Sequence, residues 1–291
     1  VGSGLTEVVI SPIAEAIPND GSVKASVMSL LHSFYCWGHV LMVVVTTLFF
    51  KVFGIENWSI ICCLWAILPL VNFVFYVFVP IAQLNDNDEG EPLPLGKLFT
   101  VKILWVFMLL MLCSGAAEQA MSQWASFFAE TELGVSKQVA DLLGPCMFAV
   151  AMGAARVLFA ALKKLDIRVG LLISSVLCII SYLIAAFAPS FLALAGCTLC
   201  GFSVGILWPG VLSLSAKTYP AGGTAMFAIL ALFGDIGCFV GPEAVARFST
   251  ALAGTGEPSV KNGLTLAIVF PLCILLFTFA LLTVGRKKDN R

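Results

Sequence analysis

Charge is what this sequence has least of. Asp, Glu, Lys and Arg make up 11% of its 291 residues, against about a quarter in soluble globular domains. The formal net charge is −1, so there is no basic field to attract nucleic acid. Histidine is scarcer still. The two that occur, His32 and His39, supply neither a clustered metal-ligand set nor the nucleophile–base pair that a membrane-embedded enzyme would need. The ten cysteines sit in apolar runs without zinc or haem spacing. Cys197 and Cys200 form a CxxC, which inside a hydrophobic helix reads as packing rather than as a redox or metal motif. No metal, no cofactor and no enzymatic activity are therefore expected. There is also no signal peptide and no initiator Met; the chain opens in mid-helix at VGSGLTEVV and reads as missing its N-terminal part.

Apolar residues are what is abundant, at 60%, and the mean hydropathy is +1.01. A soluble core has no use for that much apolar surface, and the expected fold is an all-α, polytopic membrane protein. A bilayer core needs about 20 residues of helix to cross. Hydropathy places one partial span at about 1–17 and eight complete spans at about 27–52, 57–80, 98–130, 137–162, 168–187, 190–216, 221–249 and 261–285. The long polar stretch 81–97, IAQLNDNDEGEPLPLGK, is acidic and broken by Pro92 and Pro94, as a loop between two bundles would be. Three regions follow: 1–80 as the end of one bundle, 81–97 as a central loop, and 98–291 as a six-helix bundle with a polar tail.

Basic residues orient the spans. If 81–97 and the C-terminal tail share a side, alternation puts Lys24, Lys97, Lys102, Arg156, Lys163, Lys164, Arg168, Lys217, Arg286, Lys287, Lys288 and Arg291 there. Those are twelve of the sixteen basic residues; Lys51, Lys137, Arg247 and Lys261 fall opposite. The positive-inside rule makes the central loop and the C-terminus cytoplasmic, in a plasma or inner membrane.

Ionisable groups inside spans are expensive in lipid and mark protein interiors or solute paths. The span 98–130, LFTVKILWVFMLLMLCSGAAEQAMSQWASFFAE, begins as an apolar run and turns polar past its midpoint. Ser114, Glu118 and Ser122 recur every four residues and so share one stripe of the helix. Glu7 lies about ten residues, roughly 15 Å of helix, from its helix end, near the bilayer middle. A carboxyl group taken out of water can hold and release a proton near neutral pH, which a proton-coupled carrier requires. Glu7 and Glu118 read as functional on that ground. Asp235, between Gly234 and Gly237, reads equally as a structural pair or a functional group, and His32 as a polar contact or a binding group. His39 reads as structural, and Glu243 and Arg247 as a local i, i+4 ion pair. Trp124 fits an interfacial anchor or a solute contact, whereas Trp208, in GILWPG, lies deeper and suits a cavity wall. Pro12, Pro145, Pro209 and Pro242 mark kinks or broken turns. Gly201-x-x-x-Gly205 and Gly237-x-x-x-Gly241 mark close helix packing.

These motifs, in this order, resemble the major facilitator superfamily and its fucose/glucose–proton symporter-like branch. GSGLTEVVISPIAEAI resembles the branch's fourth helix, with Glu7 and Pro12 in place and Ser11 where Asn is usual. LLHSFYCWG resembles the fifth, with His32 at its polar position. GAAEQAMSQW resembles the seventh, in which a glutamate precedes a tryptophan by six residues, here Glu118 and Trp124. GILWPGVLSLS and GGTAMFAILALFGDIGCFVGP resemble the tenth and eleventh. GAARVLFAALKKLDIR resembles a degenerate cytoplasmic basic motif that retains Gly153, Arg156, Lys163 and Lys164.

The resemblance implies helices four (partial) to twelve of a major facilitator-type bundle, without helices one to three. It also implies two halves rocking about a central cavity lined by the first, fourth, seventh and tenth helices. It assigns Glu7 to proton coupling, and makes Glu118, Gln119, His32, Trp124 and Trp208 candidate solute contacts. Asp235 and Arg156 become structural or coupling groups. The expected function is secondary transport of a small polar solute, a sugar foremost, with protons and a lipid bilayer as the other partners and a monomer as the working unit. The rivals are a drug or metabolite exporter of the same superfamily, which would show a wide apolar cavity, and a non-transporting scaffold or membrane enzyme.

Overall fold

A computed structural model of the chain describes residues 9–14, 21–79, 95–162, 165–253 and 259–289. Glu7, the central loop at 80–94, and Lys163 and Lys164 lie outside the described residues, as do the side chains of 282–291. Among the described residues every long element is helical and no strand occurs.

Among the described residues, eight helices are long and apolar enough to cross a membrane. They are α1 (Gly21–Phe53), α2 (Trp58–Phe78), α3 (Lys102–Leu133), α4 (Lys137–Ala161), α5 (Ile167–Phe187), α6 (Phe191–Thr218), α7 (Gly223–Ala253) and α8 (Val260–Leu281). Their number and places match the hydropathy reading, because a span is set by local length and apolarity. Their interiors are less regular than that reading. Leu142–Cys146, which contains Pro145, forms a π turn within α4. The backbone of α6 breaks at Gly205–Ile206, and that of α8 at Ile268. Proline lacks the N–H that continues the ladder, and a helix accommodates it by such adjustments.

Element ends follow from local chemistry. Gly134 ends α3 in the left-handed conformation (φ 63°), and its N–H reaches Glu130 O at 3.1 Å, a conformation glycine adopts without a Cβ penalty. Asp166 caps α5, its Oδ1 accepting from Arg168 N at 2.8 Å.

The helices α3 to α8 pack into one bundle with α3 at its centre: 67% of its most apolar window is buried, against 6% for α2. Apolar burial does not drive association between helices already in lipid; close packing and interhelical hydrogen bonds do. The seam between α3 and α7 shows both. A Cβ on Gly237 would overlap the Leu112 backbone, and one on Gly241 that of Ala116, so only glycine permits this approach. The Trp124 indole Nε1 of α3 then donates to Pro242 O of α7 at 3.1 Å. Tyr182 of α5 donates to Ala117 O of α3 at 2.7 Å. Outside this bundle, α1 lies along α4, where Ser29 Oγ donates to Arg156 O at 2.8 Å. The α2 helix meets α1 loosely, with Trp65 Nε1 donating to Thr46 Oγ1 at 3.0 Å.

Candidate solute-binding cavity

A polar side chain on a membrane-spanning helix needs a partner within the protein. On α3, Ser114, Glu118 and Ser122 are all buried, so the stripe read from their spacing does face inward. Ser114 is satisfied locally, its Oγ donating to Leu110 O at 2.7 Å. Glu118 lines a cavity of about 560 Å³, within the usual range for small-molecule sites. Its polar wall comes from Ser11, from His32 and Tyr35 of α1, from Glu118 and Gln119 of α3, and from Arg156, Trp208 and Asp235 of α4, α6 and α7.

Arg156 organises the cavity. A proline at position 209 has no N–H to offer the carbonyl four residues earlier, and the backbone breaks just after that carbonyl, at Gly205–Ile206. The Gly205 carbonyl is thereby left for another donor, and Arg156 Nε supplies it at 2.8 Å. Arg156 Nη1 donates to His32 O at 2.7 Å and lies 3.2 Å from Cys36 Sγ. Its Nη2 stands 3.8 Å from Glu118 Oε2. The guanidinium also sits 5.9 Å from the Tyr35 ring centre. One side chain, 2% exposed, thus touches α1, α3 and α6 from its place on α4. An isolated buried cation would be prohibitive; this one is tolerated because Nε and Nη1 donate to main-chain carbonyls and Nη2 faces the Glu118 carboxylate.

Arg156 therefore adds no exposed charge to the count by which the spans were oriented. It is buried against the cavity, and eleven residues remain on the side that sequence alternation assigned to twelve. The signal was present in the sequence as a lone arginine within MFAVAMGAARVLFAA, a position that favours a functional reading over a surface one. The resemblance to a loop motif drew it outward.

His32 and Trp208 both reach the cavity. His32 Nε2 lies 3.3 Å from Ser11 Oγ, linking α1 to the short helical stretch 9–14. The Trp208 indole is 6% exposed, and its Nε1 has no hydrogen-bond partner among the described residues. Asp235 lies on the cavity wall as an exposed carboxylate, while its neighbours Gly234 and Gly237 make the helix contacts, against Trp208 and Leu112. Gln119 lines the cavity and accepts weakly from Gln123 at 3.5 Å.

Trp124 departs from expectation. It is half-buried outside the cavity lining, with its indole N–H spent on Pro242 O. Six residues of helix after Glu118 rotate it away from the polar stripe. His39 is likewise outside the lining and meets the Tyr35 ring edge-on at 6.3 Å. Glu243 and Arg247 form the expected exposed i, i+4 pair at 2.6 Å. Sequence reasoning missed Tyr35 and Cys238, whose side chains belong to the lining but carry no polar pattern of their own.

Residues 1–242 match the family model described as Major Facilitator Superfamily. The chain belongs to the major facilitator superfamily. It is a multi-pass membrane transporter, not an enzyme. Two solved structures share its fold. One is FucP, a major facilitator superfamily transporter in the outward conformation, with a TM-score of 0.74 and 18% identity over 95% of this chain and 72% of that one. The other is a single-substitution form of the E. coli fucose:proton symporter FucP, with a TM-score of 0.72 and 17% identity over 95% of this chain and 73% of that one. No curated protein matches the chain significantly.

Proposed function

We propose that this transporter carries a small polar solute, a sugar, coupled to protons and by alternating access. The observation that carries the reading is the cavity itself: about 560 Å³ holding two carboxylates, a guanidinium, a histidine, a glutamine and an indole donor in one place. Apolar side chains, among them Ile10, Leu31 and Phe34, complete the wall; the charged and amide groups set into it favour a polar solute over a drug exporter's apolar cargo. The structural likeness to FucP, a fucose:proton symporter, supports the choice of sugar and proton.

In this reading Glu118, Gln119, His32 and Trp208 contact the solute, and Arg156 and Asp235 set the charge around it. Trp124 joins α3 to α7 and acts on the site only through that seam. Glu7 is the coupling group assigned by resemblance. The regions 1–80, 81–97 and 98–291 are the end of one bundle, the loop and the second bundle, and the working unit is a monomer in a plasma or inner membrane. Eleven basic residues support a cytoplasmic central loop and C-terminus.

The test is uptake of radiolabelled neutral hexoses by the protein in proteoliposomes under an imposed pH gradient. Accumulation above equilibrium that a protonophore abolishes is the expected result. Accumulation indifferent to the gradient would refute proton coupling, and failure to move any hexose would refute the sugar assignment.

A further inference from the structure

Arg156 and Glu118 face each other at 3.8 Å, about 1 Å beyond an ordinary charge-assisted hydrogen bond. The gap is built in. Arg156 Nε is held by Gly205 O at 2.8 Å and Nη1 by His32 O at 2.7 Å, main-chain acceptors on two different helices, so the guanidinium cannot swing toward the carboxylate without giving up one of them. Glu118 is 7% exposed on the most buried helix. Among the described residues, a buried donor and a buried acceptor are thus kept just too far apart to bond each other.

We infer that the Glu118–Arg156 pair is a subsite for a single hydroxyl group of the solute, which donates to Glu118 Oε2 and accepts from Arg156 Nη2. An oxygen placed about 2.8 Å from both atoms subtends an angle of about 85° across the observed gap. Widening the gap by less than about 1 Å brings that angle to the tetrahedral value, a motion within reach of the Glu118 side chain.

The chemistry is selective. A hydroxyl both donates and accepts, a carboxylate only accepts, and an ammonium only donates. A carboxylate would meet Glu118 with like charge; an ammonium would meet the guanidinium. The pair therefore selects a neutral polyhydroxy solute over its uronate and amino counterparts. This inference rests on the sugar reading above and adds to it the residues and charge state that select among sugars. Water shares the donor–acceptor chemistry of a hydroxyl, and the experiment separates the two.

The test is isothermal titration of the purified protein in lipid nanodiscs at pH 7. A series of neutral hexoses is titrated first, followed by the uronate and the amino sugar corresponding to the tightest of them. The expected result is binding of the neutral hexose at least about tenfold tighter than either charged counterpart, and a loss of about tenfold in that affinity in Glu118→Gln. The unfolding midpoint without sugar checks that the variant is folded, and if Glu118→Gln is not, the wild-type preference between the neutral hexose and its charged counterparts decides the matter. Equal affinity for uronate or amino sugar would overturn the inference. So would unchanged hexose affinity in folded Glu118→Gln, which would leave water as the occupant of the gap and the sugar reading intact. Binding of no hexose at all would overturn both.

Discussion

Removing Arg156 should destabilise this protein far more than its one loose ion pair suggests. In Arg156→Ala the Glu118 carboxylate, 7% exposed, loses its counter-ion. Breaking a buried pair from one side costs about 3–5 kcal/mol, because the surviving charge stays buried. The Gly205 carbonyl loses the donor that sits 2.8 Å away, and an orphaned buried acceptor costs about 1–3 kcal/mol. The two losses share one cavity and are not additive, so the working figure is about 4 kcal/mol, nearly a thousandfold in the unfolding equilibrium at about 1.4 kcal/mol per decade. The measurement is reversible denaturation in mixed micelles, for the wild type, Arg156→Ala, Glu118→Ala and the double variant. If the charge left behind is the main cost, Glu118→Ala in the Arg156→Ala background should recover about 2 kcal/mol or more. A double variant no more stable than Arg156→Ala would refute the reasoning and place the cost in packing.

Four further outcomes follow. Gly237→Val drives a side chain into the Leu112 backbone and should destabilise by about 1–3 kcal/mol, the usual range for overpacking, visible as a lowered unfolding midpoint. Trp124→Phe removes the bond to Pro242 O; interhelical bonds in membranes average about 0.6 kcal/mol, so stability should fall by that order while hexose affinity, by titration, stays within about twofold. In Glu7→Gln, gradient-driven accumulation in proteoliposomes should disappear while exchange of labelled for unlabelled hexose persists; retained accumulation would show that Glu7 is not the coupling group. Tyr182→Phe removes a donor to Ala117 O and leaves that helical carbonyl with its other acceptor capacity, so a loss of about 1 kcal/mol or less is expected in micelle denaturation.

The spans were legible because crossing lipid is a local problem. Twenty apolar residues in a row identify a helix without reference to any other part of the chain, which is why eight helices lie where hydropathy places them. The inward stripe of Ser114, Glu118 and Ser122 was legible for a related reason: helical period and the cost of lipid exposure both act on a single element. The glycines of α7 announced close contact, though not its partner, since Gly237 could approach any neighbour and in fact approaches α3.

What a residue does on its helix was less legible. Trp124 and Trp208 stand beside similar polar and small neighbours, yet one donates across a packing seam and the other lines the cavity with its donor unspent. Arg156 is the clearest case. Its sequence neighbours resemble a basic loop motif, and its actual partners are the carbonyls of His32 and Gly205, 124 and 49 residues away. The sequence by itself determined a membrane transporter's helices, the irregular turns at Pro145 and Pro209 and the inward side of α3, because those depend on local hydropathy, period and missing N–H groups. Only the tertiary structure decided that Arg156 is pinned short of Glu118, because that distance depends on how α1, α3, α4 and α6 converge, and no local pattern encodes the meeting point of four helices.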